Sequence, residues 1–135
     1  MSLDVYLLQE LDGFVPDEKD KWYGRNVNAY YNMNINAWVG ERFSANITHN
    51  MTEMADAVSL YRPLWRPEEI GLKHAKDLIP ILDMGLDMLK SGGKEKYTKY
   101  EPENKWGSYE ALVSFVEAYL GACIKYPNTL IYVSR

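Results

Sequence analysis

The stretch whose reading decides the fold is Asn26-Val27-Asn28-Ala29-Tyr30-Tyr31-Asn32-Met33-Asn34-Ile35-Asn36-Ala37-Trp38-Val39. Its alternate positions separate by chemistry. Val27, Ala29, Tyr31, Met33, Ile35, Ala37 and Val39 form one set; Asn26, Asn28, Tyr30, Asn32, Asn34, Asn36 and Trp38 form the other. A period of two sends successive side chains to opposite faces of a strand, so the stretch predicts one apolar face and one asparagine row that also carries Tyr30 and Trp38. A typical strand has about five or six residues. The stretch is therefore either one long strand or a hairpin, or bulge, turning near Tyr31 to Asn34. Gly40 closes it.

Working outward, Leu3, Val5 and Leu7 alternate with their neighbours and predict a short N-terminal strand. Asp12-Gly13 and Pro16 break it, and the charged run from Asp17 to Lys21 reads as a loop. Beyond Gly40, Ile47, Met51, Met54, Ala55 and Val58 share a helical stripe, which predicts a helix from about Ala45 to Tyr61 with Ser44 as its N-cap and His49 on the solvent side. Pro63 and Pro67 then interrupt, pushing Arg62 and Arg66 out of helical geometry, and Pro67 opens a short turn that ends at Gly71.

A second helix carries Leu72, Ala75, Ile79, Leu82, Leu86 and Leu89, is kinked or started at Pro80, and is ended by Gly92-Gly93. Lys94 to Lys105 reads as a solvated loop. Ser108 caps a third helix whose stripe is Leu112, Phe115, Val116, Tyr119, Leu120 and Cys123; Pro127-Asn128 stops it, and Leu130 to Ser134 forms a last strand. Strands segregated from helices predict an α+β fold over a single domain, 1–135. Its small antiparallel or mixed sheet is covered by about three helices, and the terminal strands either pair with each other or flank the long one.

The 135 residues are 47% hydrophobic and 25% charged, which excludes wholesale disorder. A net charge of -4 argues against a broad electrostatic grip on nucleic acid. One cysteine excludes an intramolecular disulfide and a thiolate zinc cage. No run approaches the roughly 18 apolar residues of a membrane span, and no export signal opens the chain. The expectation is a protein of the bacterial cytoplasm, in which the two sequons at Asn46 and Asn50 are coincidental.

No phosphate-loop motif is present, and Gly92-Gly93-Lys94 reads as a helix end. His49 and Glu53 share a helix face but are too few ligands for zinc, and His74 beside Lys73 reads as surface; no metal or cofactor is expected. Cys123, on an apolar stripe, reads as an inert buried thiol. The one catalytic candidate is a cluster with His49 as general base and Asn46, Asn50 and Glu53 as positioning groups.

Binding fits the residues better. Trp65 lies between Arg62 and Arg66, and Trp106 and Tyr109 flank a helix start, where free N–H groups favour an anion. Together these residues suit a small anionic or nucleotide-like ligand, with a protein partner close behind. The plainer alternative has the tryptophans filling gaps and the arginines paired with Glu68 and Glu69. The asparagine row suits a homodimer contact or, as a third class, a structural or assembly role.

Ala45-Asn46-Ile47-Thr48-His49-Asn50-Met51, Leu64-Trp65-Arg66-Pro67-Glu68-Glu69 and Pro102-Glu103-Asn104-Lys105-Trp106-Gly107-Ser108-Tyr109-Glu110, together with Met1-Ser2-Leu3-Asp4 and Val133-Ser134-Arg135, resemble a family of small proteins found in bacteriophage and mobile-element sequences. The chain carries a longer segment before Ala45 than that family's pattern. The resemblance implies a small host-interfering or ligand-sequestering protein and assigns no catalytic residue.

Overall fold

The computed structural model describes residues 1–11, 29–33 and 36–135. The expected break at Asp12-Gly13 and Pro16, the loop from Asp17 to Lys21, and Asn26, Val27, Asn28, Asn34 and Ile35 of the alternating stretch lie outside the described residues. Four strands, β1 (Ser2–Glu10), β2 (Ala29–Asn32), β3 (Ala37–Thr48) and β4 (Leu130–Ser134), form one sheet in the order β2-β3-β1-β4. Every neighbouring pair is antiparallel, so β1 is flanked by β3 and by the C-terminal strand. The fold is α+β.

The alternating stretch is a hairpin. Tyr30 lies opposite Val39, Tyr31 opposite Trp38 and Asn32 opposite Ala37. Each pair joins an even position to an odd one, so reversal of the chain swaps the two sets across the turn. Val39 shares a face with Tyr30, and Trp38 shares the other with Tyr31, whose ring meets the indole edge-on at 5.7 Å. The continuous asparagine face with Tyr30 beside Trp38 is thereby overturned.

On β1 and β3, Leu3, Val5, Leu7 and Ile47 are buried toward the helices. Opposite Leu7 and Leu8 the register slips, with Arg42 as the extra residue of β3, and both leucines are buried although they point to opposite faces.

The helix expected from Ala45 does not begin there. Ala45 to Thr48 pair with Val5 to Ser2 as strand, and a single 3-10 turn (His49–Met51) leads into a short helix α1 (Thr52–Ala57). Ile47 and Met51, four apart, suit either period, and pairing with β1 decides for the strand. The cap is Thr48, whose Oγ1 accepts the Asn50 N–H at 3.3 Å, and not Ser44. Helix α2 (Tyr61–Trp65) includes Arg62, because Pro63 falls in the first turn where its missing N–H costs nothing. Arg66 does leave helical geometry, and a 3-10 turn (Pro67–Ile70) ends at Gly71.

Helix α3 (Ala75–Tyr97) starts before Pro80 and runs through it. It breaks at Gly93, where φ 76° and ψ 168° suit only glycine. Lys94 to Tyr97 then resume the helix and a 3-10 turn (Thr98–Tyr100) follows, in place of a solvated loop. Tyr97 drives this: its ring is buried, stacks on Tyr109 at 6.2 Å, and its hydroxyl donates to the Met88 carbonyl at 3.0 Å.

Helix α4 (Tyr109–Lys125) matches expectation. Ser108 Oγ accepts the Ala111 N–H at 3.1 Å, and all six stripe residues are buried. Phe43 of β3 stacks on Tyr119 at 5.8 Å, seating α4 on the sheet. The Tyr119 hydroxyl has no hydrogen-bond partner among the described residues, and burial pushes its pKa up. Burial also raises the Cys123 thiol to about 12, so it stays protonated and unreactive.

Candidate functional site

The Arg62–Trp65–Arg66 segment is held by its own neighbours. Trp65 is 3% exposed. Its indole N–H donates to His49 Nδ1 at 2.9 Å, Tyr61 stacks on the ring at 5.9 Å, and its carbonyl accepts from the Arg135 guanidinium at 3.0 Å. Arg66 Nε donates to the Tyr61 hydroxyl at 3.1 Å. Both arginines reach one carboxylate, Glu69, from Arg66 at 2.9 Å and from Arg62 at 3.4 Å. Glu68 pairs with Arg135. This chemistry joins α2, the following turn, the His49 turn and the C-terminus, and it leaves the indole no face for a ligand.

Trp106 sits apart from that plug. The residue is 72% exposed, while its carbonyl accepts from Asn50 Nδ2 at 3.3 Å. Gly107, at φ 123°, lets this loop lie on the His49 turn; a Cβ there would meet Met51 Sδ at 2.6 Å. At the start of α4 the anion is intramolecular: Glu101 Oε2 accepts the Tyr109 N–H at 2.9 Å. Tyr109 donates its hydroxyl to the Leu89 carbonyl at 2.7 Å, tying α4 to α3. The first N–H groups of α3 are taken too, Ala75 by Thr129 and Lys76 by Pro127, both at 2.9 Å. His74, expected at the surface, is half-buried at that junction and its backbone bridges to Leu130.

The catalytic candidates separate. Asn46 lies on β3 opposite Asp4, exposed on the face of the sheet away from the helices. His49, expected toward solvent, is half-buried. An indole only donates, so the lone pair on Nδ1 is engaged and the ring proton of neutral His49 resides on Nε2. Its remaining nitrogen is a donor, which is the wrong polarity for a general base. Asn50 is engaged with Trp106 and Glu53 is exposed on α1. Among the described residues no group of three His, Cys, Asp or Glu side chains is placed to hold a metal ion, and no helix is long and apolar enough to cross a membrane.

Beside the plug lies an open apolar groove of about 470 Å³ between α2, the Pro67–Ile70 turn and the middle of α3. Pro63, Ile70, Pro80, Ile81, Met84 and Met88 line it, with Val58 and Gly85 at its base and Arg62 and Ser59 among its polar groups. Met84 is 68% exposed, Ile70 42% and Met88 37%. Gly85 allows α3 to come close to the preceding turn, since a Cβ there would lie 2.5 Å from Leu60 Cγ. The volume falls within the ~300–1,000 Å³ of ligand sites, and methionine side chains adapt to varied apolar shapes.

Of the candidate binding and catalytic residues named from the sequence, only Arg62 reaches this groove. The signal for the rest was present: Ile81, Met84 and Met88 form a second apolar stripe offset from the buried one. Comparison of the chain with protein-family models, with curated proteins and with solved structures yields no match.

Proposed function

We propose that this is a non-catalytic binding protein that docks a segment of another protein in the groove between α2 and α3. One observation carries the reading. Three large apolar side chains, Ile70, Met84 and Met88, stand in solvent around a single concavity. The neighbouring Arg-Trp-Arg segment meanwhile spends its donors on internal partners. Contiguous exposed apolar surface around a groove is the usual mark of a partner site. A small anion has less to attract it, because Glu101 already occupies the start of α4 and Glu69 holds both arginines. The likeness to phage-borne proteins supplies a setting, in which the partner is a host protein of the bacterial cytoplasm.

The test places a photo-crosslinking residue at position 84 and, as a control of similar exposure, at position 124. Ile124 is 59% exposed on α4. A partner captured from 84 and not from 124, whose purified form binds the wild type and not Met88→Glu, supports the reading. Crosslinking to a second copy of the chain makes the groove a homodimer contact instead. Equal capture from both positions overturns the assignment.

A further inference from the structure

We infer that the segment this groove takes is a basic amphipathic helix; the inference rests on the docking reading above. Two features of the groove point to it, one geometric and one electrostatic.

The first concerns backbone hydrogen bonds. Helices α2 and α3 and a 3-10 turn form the walls, and two of the lining residues are prolines, which have no N–H. Among the described residues no strand of the sheet lines it. An extended peptide lying there finds no edge to pair with and leaves its own N–H and C=O groups unsatisfied against apolar side chains. A helix satisfies its backbone internally and needs only an apolar stripe to fill the space between Ile70, Ile81, Met84 and Met88.

The second concerns charge. Asp83 and Asp87 are one turn apart on α3, each next in sequence to one of the exposed methionines. Both are exposed, and neither carboxylate makes a hydrogen bond or ion pair among the described residues. The nearby cations are engaged. Lys90 pairs with Glu117 at 3.3 Å, Lys94 with Glu110 at 2.7 Å, and Arg62 and Arg66 with Glu69. Of the lysines of this helix that make no ion pair among the described residues, Lys96 lies beyond the Gly93 break over the Tyr97 ring, and Lys76 is two turns before Asp83, about 10 Å along the axis and near the screening length at physiological salt. The rim on the α3 side is therefore left negative, and its complement is a helix whose apolar stripe is bordered by Lys or Arg.

The experiment uses the full chain with ¹³C-methyl methionine and two synthetic helical peptides. Both carry leucines at i, i+3, i+4 and i+7; one is bordered by lysines and the other by glutamates. The lysine peptide is expected to shift the Met84 and Met88 methyl signals in a saturable way and to bind at least ~tenfold tighter than the glutamate peptide. Asp83→Lys/Asp87→Lys, at two exposed positions, is expected to erase that preference with the circular dichroism spectrum unchanged. Equal binding of both peptides at Met84 and Met88 overturns the basic-partner inference and leaves the docking reading standing. No shift at either methyl with either peptide overturns both. Methyl signals that move with protein concentration alone assign the groove to a second copy and likewise overturn the inference.

Discussion

Trp65 and Met84 face different worlds across a short stretch of α2 and α3. Around Trp65 nearly every polar atom has a protein partner: His49 for the indole, Tyr61 and Glu69 for Arg66, Arg135 for the backbone carbonyl. Around Met84 the groove is mostly apolar, and Ile70, Met84 and Met88 themselves stand exposed to solvent. Residues that look like binding chemistry in the sequence serve here as internal fastening, and plain-looking methionines present the open surface. A stacked, hydrogen-bonded indole contributes to folding, whereas an exposed methionine contributes to whatever covers it.

The contrast can be broken most forcefully at its closed end. Trp65→Ala removes a buried ring and strands the Nδ1 acceptor of His49, so we expect a loss of about 3–5 kcal/mol in a denaturant titration. A variant as stable as the wild type would return the ring to the list of ligand contacts.

Gly85→Ala tests the junction between the two regions. Helix propensity favours alanine by about 1 kcal/mol, but the new methyl meets the Leu60 side chain at 2.5 Å. Overpacking costs about 1–3 kcal/mol, so the net effect is expected to be destabilising, and a raised melting temperature would show that Leu60 moves aside freely. His49→Ala leaves the Trp65 N–H buried without an acceptor and is expected to cost roughly 1–3 kcal/mol. At the open end, Met84→Ser/Met88→Ser is expected to stay within about 0.5 kcal/mol of the wild type; a larger loss would mean the methionines already serve the core.

The smallest effect is one of pH and sharpens the account of α3. The carboxylate of Asp77 accepts backbone N–H groups from His74 at 2.9 Å and from Lys73 at 3.1 Å, which holds its pKa below the usual carboxylate range. A pKa lower in the folded than in the unfolded chain stabilises above the unfolded value, near pH 4, and the gain is lost as pH falls through the folded value. Asp77 is only half-buried, so solvent screening keeps the contribution modest. Asp77→Asn is expected to flatten the acid limb of a melting-temperature profile, and an unchanged limb would assign acid sensitivity elsewhere.

What the sequence made legible follows from how far apart the deciding contacts lie. Helix α4 was readable because Ser108, an unbroken apolar stripe and Pro127 are all local. The strand identity of Ala45 to Thr48 was not, because it is decided by pairing with residues 2–5 across the chain. The faces of Tyr30, Val39 and Trp38 depended on where the hairpin turns. At the site, the Arg-Trp-Arg cluster was visible, but its acceptor is His49, sixteen residues upstream of Trp65, and no local pattern announces that pairing. Met84 and Met88 could have been read as a second stripe, four residues apart and off the buried one.

The most direct test is calorimetric titration of the partner captured at position 84 against wild-type protein and Met88→Glu. The account predicts binding weakened at least ~tenfold with the melting temperature unchanged, as for a contact at the centre of an interface. Equal affinity for the two proteins would contradict it.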